Sequence, residues 1–275
     1  MCRAASYLER NPLYKSGDYI ALRLLPGLIK VLLLCKILNL KGRISPRGIY
    51  QYVIARTKYI DQVFTESFKN GFEQVVILGA GFDSRAIRLL NEDDEVIVYE
   101  VDIHTLIKAK IKQYKKRKIQ LPVNDILIPV DFEKENIKAK LMQYGFNKNK
   151  LTLFILEGLI MYLSAKAVNE TFNIIAEYAS KGSLMVFDYV HASVLRNENK
   201  YYGEDDIYRR VKKDNEQWLS GIEEEHIGNF LSDYKFSLSE HLNSNAIENK
   251  YFRNNNGKLI TRVNGTHCIV LAEKV

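Results

Sequence analysis

The sequence has little of what would mark several protein classes. Its 275 residues contain three cysteines, Cys2, Cys35 and Cys268, far apart and in no CxxC pair. A disulfide framework and a zinc site are therefore not expected, and a reducing, cytoplasmic setting fits best. Proline is scarce, at five residues, and the fifteen glycines form no linker, so one compact unit is expected. No repeat of solenoid period is visible. The opening residues, MCRAASYLERNPLYKS, lack the apolar core of a secretion signal. The leucine-rich stretch from Tyr19 to Leu40 is broken by Arg23, Pro26, Lys30 and Lys36, far short of the ~20 apolar residues of a membrane span.

What is present suits a globular domain: 47% of residues are hydrophobic and 27% charged, enough for a sizeable core. The net charge of +7 raises the question of nucleic acid, and much of it comes from one run, KAKIKQYKKRK at 108–118. Ala109, Ile111 and Tyr114 recur among these lysines as on the flank of a helix. A solvated helix face and a phosphate-binding patch both remain open, and no aromatic interleaving favours base stacking. Nucleic acid is not the expected partner.

Residues 1 to 70 read as helical. Pro26 suits a first helical turn, 27–38 is apolar, and 49–68 carries Tyr52, Ile54, Ala55, Tyr59, Ile60, Val63 and Phe64 at helical spacing. This segment is expected to form an N-terminal helical cap on a domain at 71–275. From residue 74 short apolar runs alternate with amphipathic stretches. Strands are expected at 74–78, 95–100, 126–130, 151–156, 183–189 and 266–272, with helices between them. Such alternation predicts an α/β, Rossmann-like, doubly wound and mostly parallel sheet.

In these sheets ligands sit beyond the carboxyl ends of the strands, near the switch point. The turn Gly79-Ala80-Gly81 falls there, after the first strand, where glycine admits a ligand close to the backbone and the next helix offers its amides. About 20 residues on, Glu100 and Asp102 flank the end of the second strand, where an acid can accept both ribose hydroxyls. Nicotinamide enzymes favour a third glycine, and Ser84 stands in that place. S-adenosyl-L-methionine has no pyrophosphate and tolerates the change, so the methyl donor is favoured over the dinucleotide, with a purely structural turn still open. Asp131 and Phe132 supply an acceptor and an apolar wall for adenine. Glu157 ends the fourth strand, where it can receive the donor's ammonium, and Arg56 is the candidate cation for its carboxylate.

The strings Ile54-Ala55-Arg56-Thr57-Lys58-Tyr59-Ile60-Asp61 and Val75 to Arg85, with Glu157-Gly158-Leu159-Ile160-Met161-Tyr162-Leu163 and Phe187-Asp188-Tyr189-Val190, resemble the leucine carboxyl methyltransferase family. The similarity is closer to its bacterial and archaeal branch, which includes polyketide carboxyl methyltransferases. The resemblance implies a class I methyltransferase fold and S-adenosyl-L-methionine as cofactor. It implies that Arg56 holds the donor's carboxylate, Gly79 lines the donor, Asp102 meets the ribose, Asp131 and Phe132 frame the adenine, and Glu157 faces the methionine part. Lys58 stands where the family commonly has arginine.

A carboxylate acceptor is ionised near neutral pH and needs only alignment and desolvation, whereas a phenol or alcohol needs a base. The expected reaction is methyl-ester formation on a small-molecule carboxylate, apolar in character, or on a protein C-terminal carboxylate. Hydroxyl methylation and non-catalytic binding of the donor are the alternatives. Candidates for orienting the acceptor are Tyr162 and Tyr189, equally readable as packing, and His191, a base candidate that a structural reading fits more readily. His226 and His241 are further base candidates, and the cap is expected to close as a lid.

Overall fold

The computed structural model describes the chain except residues 36, 39–44, 92–93, 132–134 and 214–215. Among the described residues, seven strands form one sheet: β1 (Gln74–Leu78), β2 (Ile97–Asp102), β3 (Asp125–Pro129), β4 (Thr152–Leu156), β5 (Leu184–Val190), β6 (Phe236–Leu242) and β7 (His267–Lys274). Their order is β3-β2-β1-β4-β5-β7-β6. β1 to β5 run parallel, and β7 runs antiparallel to both β5 and β6. The chain reverses direction across the sheet between β1 and β4, which puts the switch point at the end of β1.

Among the described residues, four helices precede the sheet: α1 (Cys2–Tyr7), α2 (Tyr19–Leu24), α3 (Gly27–Leu34) and α4 (Ile49–Lys69). Then α5 (Arg85–Leu89), α6 (His104–Arg117), α7 (Ile137–Gln143) and α8 (Ala165–Tyr178) follow β1 to β4 in turn. Between β5 and β6 lie α9 (Ala192–Leu195), α10 (Glu204–Lys213) and α11 (Ile227–Asp233), and α12 (Ser244–Tyr251) joins β6 to β7. No helix among the described residues is long and apolar enough to cross a membrane.

Every residue of β1 and of β4 is buried, as strands covered on both faces must be. The two-residue period sorts their side chains. Val75, Ile77, Leu153 and Ile155 join Tyr52, Ile60 and Phe64 of α4 in one apolar cluster. Val76, Leu78, Phe154 and Leu156 join Val168, Phe172 and Ile175 of α8 in the other. The long helix α4 is thus part of one face of the sheet, and α1 and α2 add Ala4 and Leu22 to the same cluster. Its entry is fixed by Gly48, at φ +75°, where a Cβ would lie 2.2 Å from the Asn264 nitrogen. That nitrogen donates to the Gly48 carbonyl (3.1 Å) and the Asn264 amide side chain donates to the Arg47 carbonyl (2.9 Å). The start of α4 is therefore tied to the segment leading into β7, and this sets the direction in which Arg56, two turns on, projects.

Candidate functional site

The turn after β1 is held open by its backbone. Gly79 and Gly81 have φ of +67° and +50°, in the left-handed region that side chains resist. The Gly79 and Ala80 nitrogens both donate to the Val101 carbonyl, at 2.9 and 3.2 Å, pinning the turn to β2. The Gly81 nitrogen donates to Asp102 Oδ2 (2.6 Å), and the Ile103 nitrogen donates to Oδ1 (2.6 Å). Asp102 thereby joins the loop to the end of β2. Above the turn is a cavity of ≈ 330 Å³ whose wall includes Arg56, Gly79, Ala80, Gly81 and Glu157, with Tyr162 on the side of β4.

Arg56 projects from α4 across two strand ends. Its Nη1 donates to Asp188 Oδ2 (2.5 Å) and its Nη2 pairs with Glu157 Oε1 (3.0 Å). Asp188, fully buried on β5, also accepts from the Tyr52 hydroxyl (2.8 Å) and from the Gly158 nitrogen (2.6 Å). The far oxygen of Glu157 accepts from Arg85 Nη2 (2.6 Å), and Arg85, with no exposed surface, further pairs with Asp61 (2.9 Å) and with Asp83. Burial alone would raise the Glu157 carboxyl, but the Arg85 and Arg56 guanidiniums outweigh it and hold the group well below the usual carboxylate range. Burial likewise works against Arg56, and Asp188 and Glu157 overcome it, so the guanidinium stays charged. Arg56 Nε is buried with no hydrogen-bond partner. The cavity wall thus carries both signs, in Arg56 and Glu157.

The other predicted residues lie elsewhere. Glu100 is buried beneath the loop and paired with Lys110 of α6, which also donates to the Asp83 carbonyl (2.8 Å). Neither Glu100 nor Asp102 is among the residues that line the cavity. Tyr189 points to the opposite face of the sheet from its neighbour Asp188, and its hydroxyl bonds His241 Nε2 (3.0 Å). His191 is buried against Tyr201, ring centroids 4.1 Å apart, with its Nε2 3.4 Å from the Cys268 sulfur. Donor atoms of His191, Glu224 and Cys268 fall within 4.8 Å of one another, which brings together a cysteine and a histidine distant in sequence. Burial raises the Cys268 thiol and lowers the His191 imidazole, keeping both neutral. Asp131 follows β3, partly exposed, with its nitrogen donating to Glu135 Oε2 (2.8 Å). Phe132 lies outside the described residues. Three residues that sequence reasoning did not single out belong to the site. Asp188 anchors Arg56, and His267 and Trp218 close the cavity wall, with ring centroids 5.3 Å apart.

The pair behind the loop has a pH signature of its own. Asp125, at the start of β3, has two buried oxygens without partners, and burial pushes its carboxyl up to about 7. A folded-state value above the unfolded value of about 4 destabilises the fold as pH rises through that window and uniformly above it. Asp125→Asn is expected to stabilise the protein by about 2–4 kcal/mol above pH 7. Thermal melts should show the gain shrinking toward pH 4.

The sheet order and the glycine turn at the switch point define the Rossmann-like fold of the class I methyltransferases. An O-methyltransferase family protein from Burkholderia thailandensis shares that fold, at a TM-score of 0.51 and 12% identity, over 80% of this chain and 56% of that one. Among sequences, the profile of the leucine carboxyl methyltransferase family matches residues 33–176, and the chain belongs to that family. A Mycobacterium marinum protein that carries the provisional name S-adenosyl-L-methionine-dependent methyltransferase is 36% identical over 140 residues, 50% of this chain and 46% of its own. A Bacillus subtilis protein with the same provisional name is 25% identical over 206 residues, 75% of this chain and 67% of its own. The matched region spans about half the length of the first of these relatives.

Proposed function

We propose that this protein binds S-adenosyl-L-methionine in the cavity over Gly79–Gly81 and esterifies a carboxylate acceptor with its methyl group. The observation that carries the reading is Arg56, held between Glu157 and Asp188 at the cavity wall. A zwitterionic amino-acid moiety needs both signs, and the Arg56 guanidinium and Glu157 carboxylate supply them side by side. Asp102 is the candidate for the ribose, and Asp131 with Phe132 for the adenine edge. Family membership and the relatives' names support the same donor. The bound donor supplies an electrophilic methyl on a sulfonium.

The residues around the cavity favour a carboxylate over a hydroxyl. His267 is the histidine among the cavity-wall residues, and burial, followed by the nearby Arg56 charge, lowers its imidazole to about 3 against the pull of Asp188. A base that weak gains no proton from a phenol or alcohol near neutral pH, whereas a carboxylate needs none removed. Tyr162, with its hydroxyl 3.3 Å from Glu216, and Trp218 line the side proposed for the acceptor. Arg3 and Val53 also reach the cavity, so the first 70 residues supply part of its cover. Esterification is tested by incubating protein and donor with apolar carboxylic acids and with peptides ending in a free carboxylate. Mass spectrometry should find a methyl ester together with S-adenosylhomocysteine. Products methylated only on hydroxyl oxygen would overturn the acceptor assignment.

Gly79→Val is expected to abolish donor binding. A branched side chain is strained on a backbone at φ +67°, and its Cβ would lie 2.8 Å from Leu159 Cδ1, so the turn that lines the cavity is distorted. Titration calorimetry with the donor reads the loss directly.

A further inference from the structure

The basic run at 108–118 and the apolar helices α2 and α3 are not among the residues that line the cavity, yet the fold joins them. Arg117 Nη2 donates to the Leu25 carbonyl (2.9 Å), and Arg23 Nη2 donates to the carbonyls of Arg117 (3.0 Å) and Lys118 (3.2 Å). The last turn of α6 is therefore hydrogen-bonded to the link between α2 and α3. On α3, Leu28, Val31 and Leu34 recur at intervals of three and are 73%, 54% and 52% exposed, while Leu33 is buried in the core. Ile37 continues the exposed series. On α6, Lys108, Lys112, Lys115 and Lys116 are exposed, as is Lys118 at its end. No aspartate or glutamate occurs between Asp18 and Asp61, and none occurs within α6.

Large apolar side chains concentrated at this exposure mark an interaction surface. A symmetric pairing of two copies would set lysine against lysine at close range, which disfavours a second copy of this chain. Nucleic acid would use the lysines but leaves the leucine stripe in water. An anionic bilayer takes both at once: the acyl boundary accepts the stripe and the headgroup phosphates accept the lysines. We propose that this face docks peripherally on an anionic phospholipid membrane, with α3 at the acyl boundary and the exposed flank of α6 against the phosphates. The surface is separate from the cavity, and docking does not depend on the proposed methyl transfer.

The test is flotation of the full chain with phosphatidylcholine vesicles, with and without phosphatidylglycerol, at low and high salt. The protein should float only with the anionic vesicles and less so as salt rises. Val31→Glu/Leu34→Glu and Lys115→Glu/Lys116→Glu should each weaken partitioning at least roughly tenfold. Leu28→Ser, at the most exposed position of the stripe, provides a milder variant, and melting curves check that each remains folded. Failure to float with anionic vesicles overturns the proposal, as does equal flotation of wild type and the charge-reversed variants. A dimer in sedimentation that Val31→Glu/Leu34→Glu disperses, without vesicle binding, would assign the face to a second copy. RNA binding lost only in Lys115→Glu/Lys116→Glu, again without vesicle binding, would assign the lysines to nucleic acid.

Discussion

Arg56→Ala is expected to weaken S-adenosyl-L-methionine binding at least about a hundredfold, the cost of truncating one partner of a buried charge pair. It should also destabilise the protein by roughly 3–5 kcal/mol, because the guanidinium neutralises two carboxylates in the free protein. Asp188 would keep its bonds from Tyr52 and from the Gly158 nitrogen but lose its cation, and Glu157 would keep only Arg85. The two effects are separable. Arg56→Lys retains the charge but cannot reach both Asp188 and Glu157 from one planar fork, so it should recover part of the stability and little of the affinity. Calorimetry and thermal melts on the pair of variants give the comparison. Wild-type affinity in both would remove Arg56 from the proposed site.

Arg85→Leu should produce a loss of stability of similar size, but one that runs backwards with pH. Arg85 has no exposed surface and serves three carboxylates, Asp61, Asp83 and Glu157. In the wild type, burial would raise Asp83 and Glu157, but Arg85 outweighs it and holds both low. Their contribution to stability is present above the unfolded carboxyl value of about 4 and is lost only as pH falls through the depressed folded values. Without Arg85, burial is left partly unopposed and pushes both carboxyls upward. The penalty, roughly 3–5 kcal/mol near neutral pH, is then relieved as acid protonates them. Urea unfolding from about pH 8 down to about pH 5 should therefore show the variant gaining on the wild type. A pH-independent difference would mean that Arg85 acts by filling volume alone.

Much of the fold is legible because its central strands obey simple rules. β1 and β4 are short, continuous apolar runs, each ending at a glycine or an acid, and those ends are where the cavity forms. β6 is another matter. FSLSEHL has few apolar residues and pairs only with β7, so its middle is largely exposed and it carries no burial signal. Asp188 was hidden inside the apolar run of β5. The two-residue period could have found it: with Phe187 and Tyr189 packed on the α8 face, Asp188 must share a face with α4 and hence with Arg56. Glu100 and Asp102 sit on the same side of β2, so spacing alone does not choose between them. Their surroundings differ through Lys110, buried one helix later and bonded to Glu100, a contact no local pattern announces. Tyr189 and His191 looked accessible because they end a strand, but an antiparallel neighbour arriving from residues 267–274 covers that end.

The lock between Gly48 and Asn264 bears on how the molecule is made. The start of α4 is synthesised more than 200 residues before the backbone that fixes its entry angle and before β7, against which Asp188 of β5 is registered. A nascent chain can form the parallel strands and the glycine loop while Arg56 still lacks its final direction. Competence to hold a ligand should therefore appear abruptly, as the stretch around 264–274 leaves the ribosome, and not in proportion to the length translated.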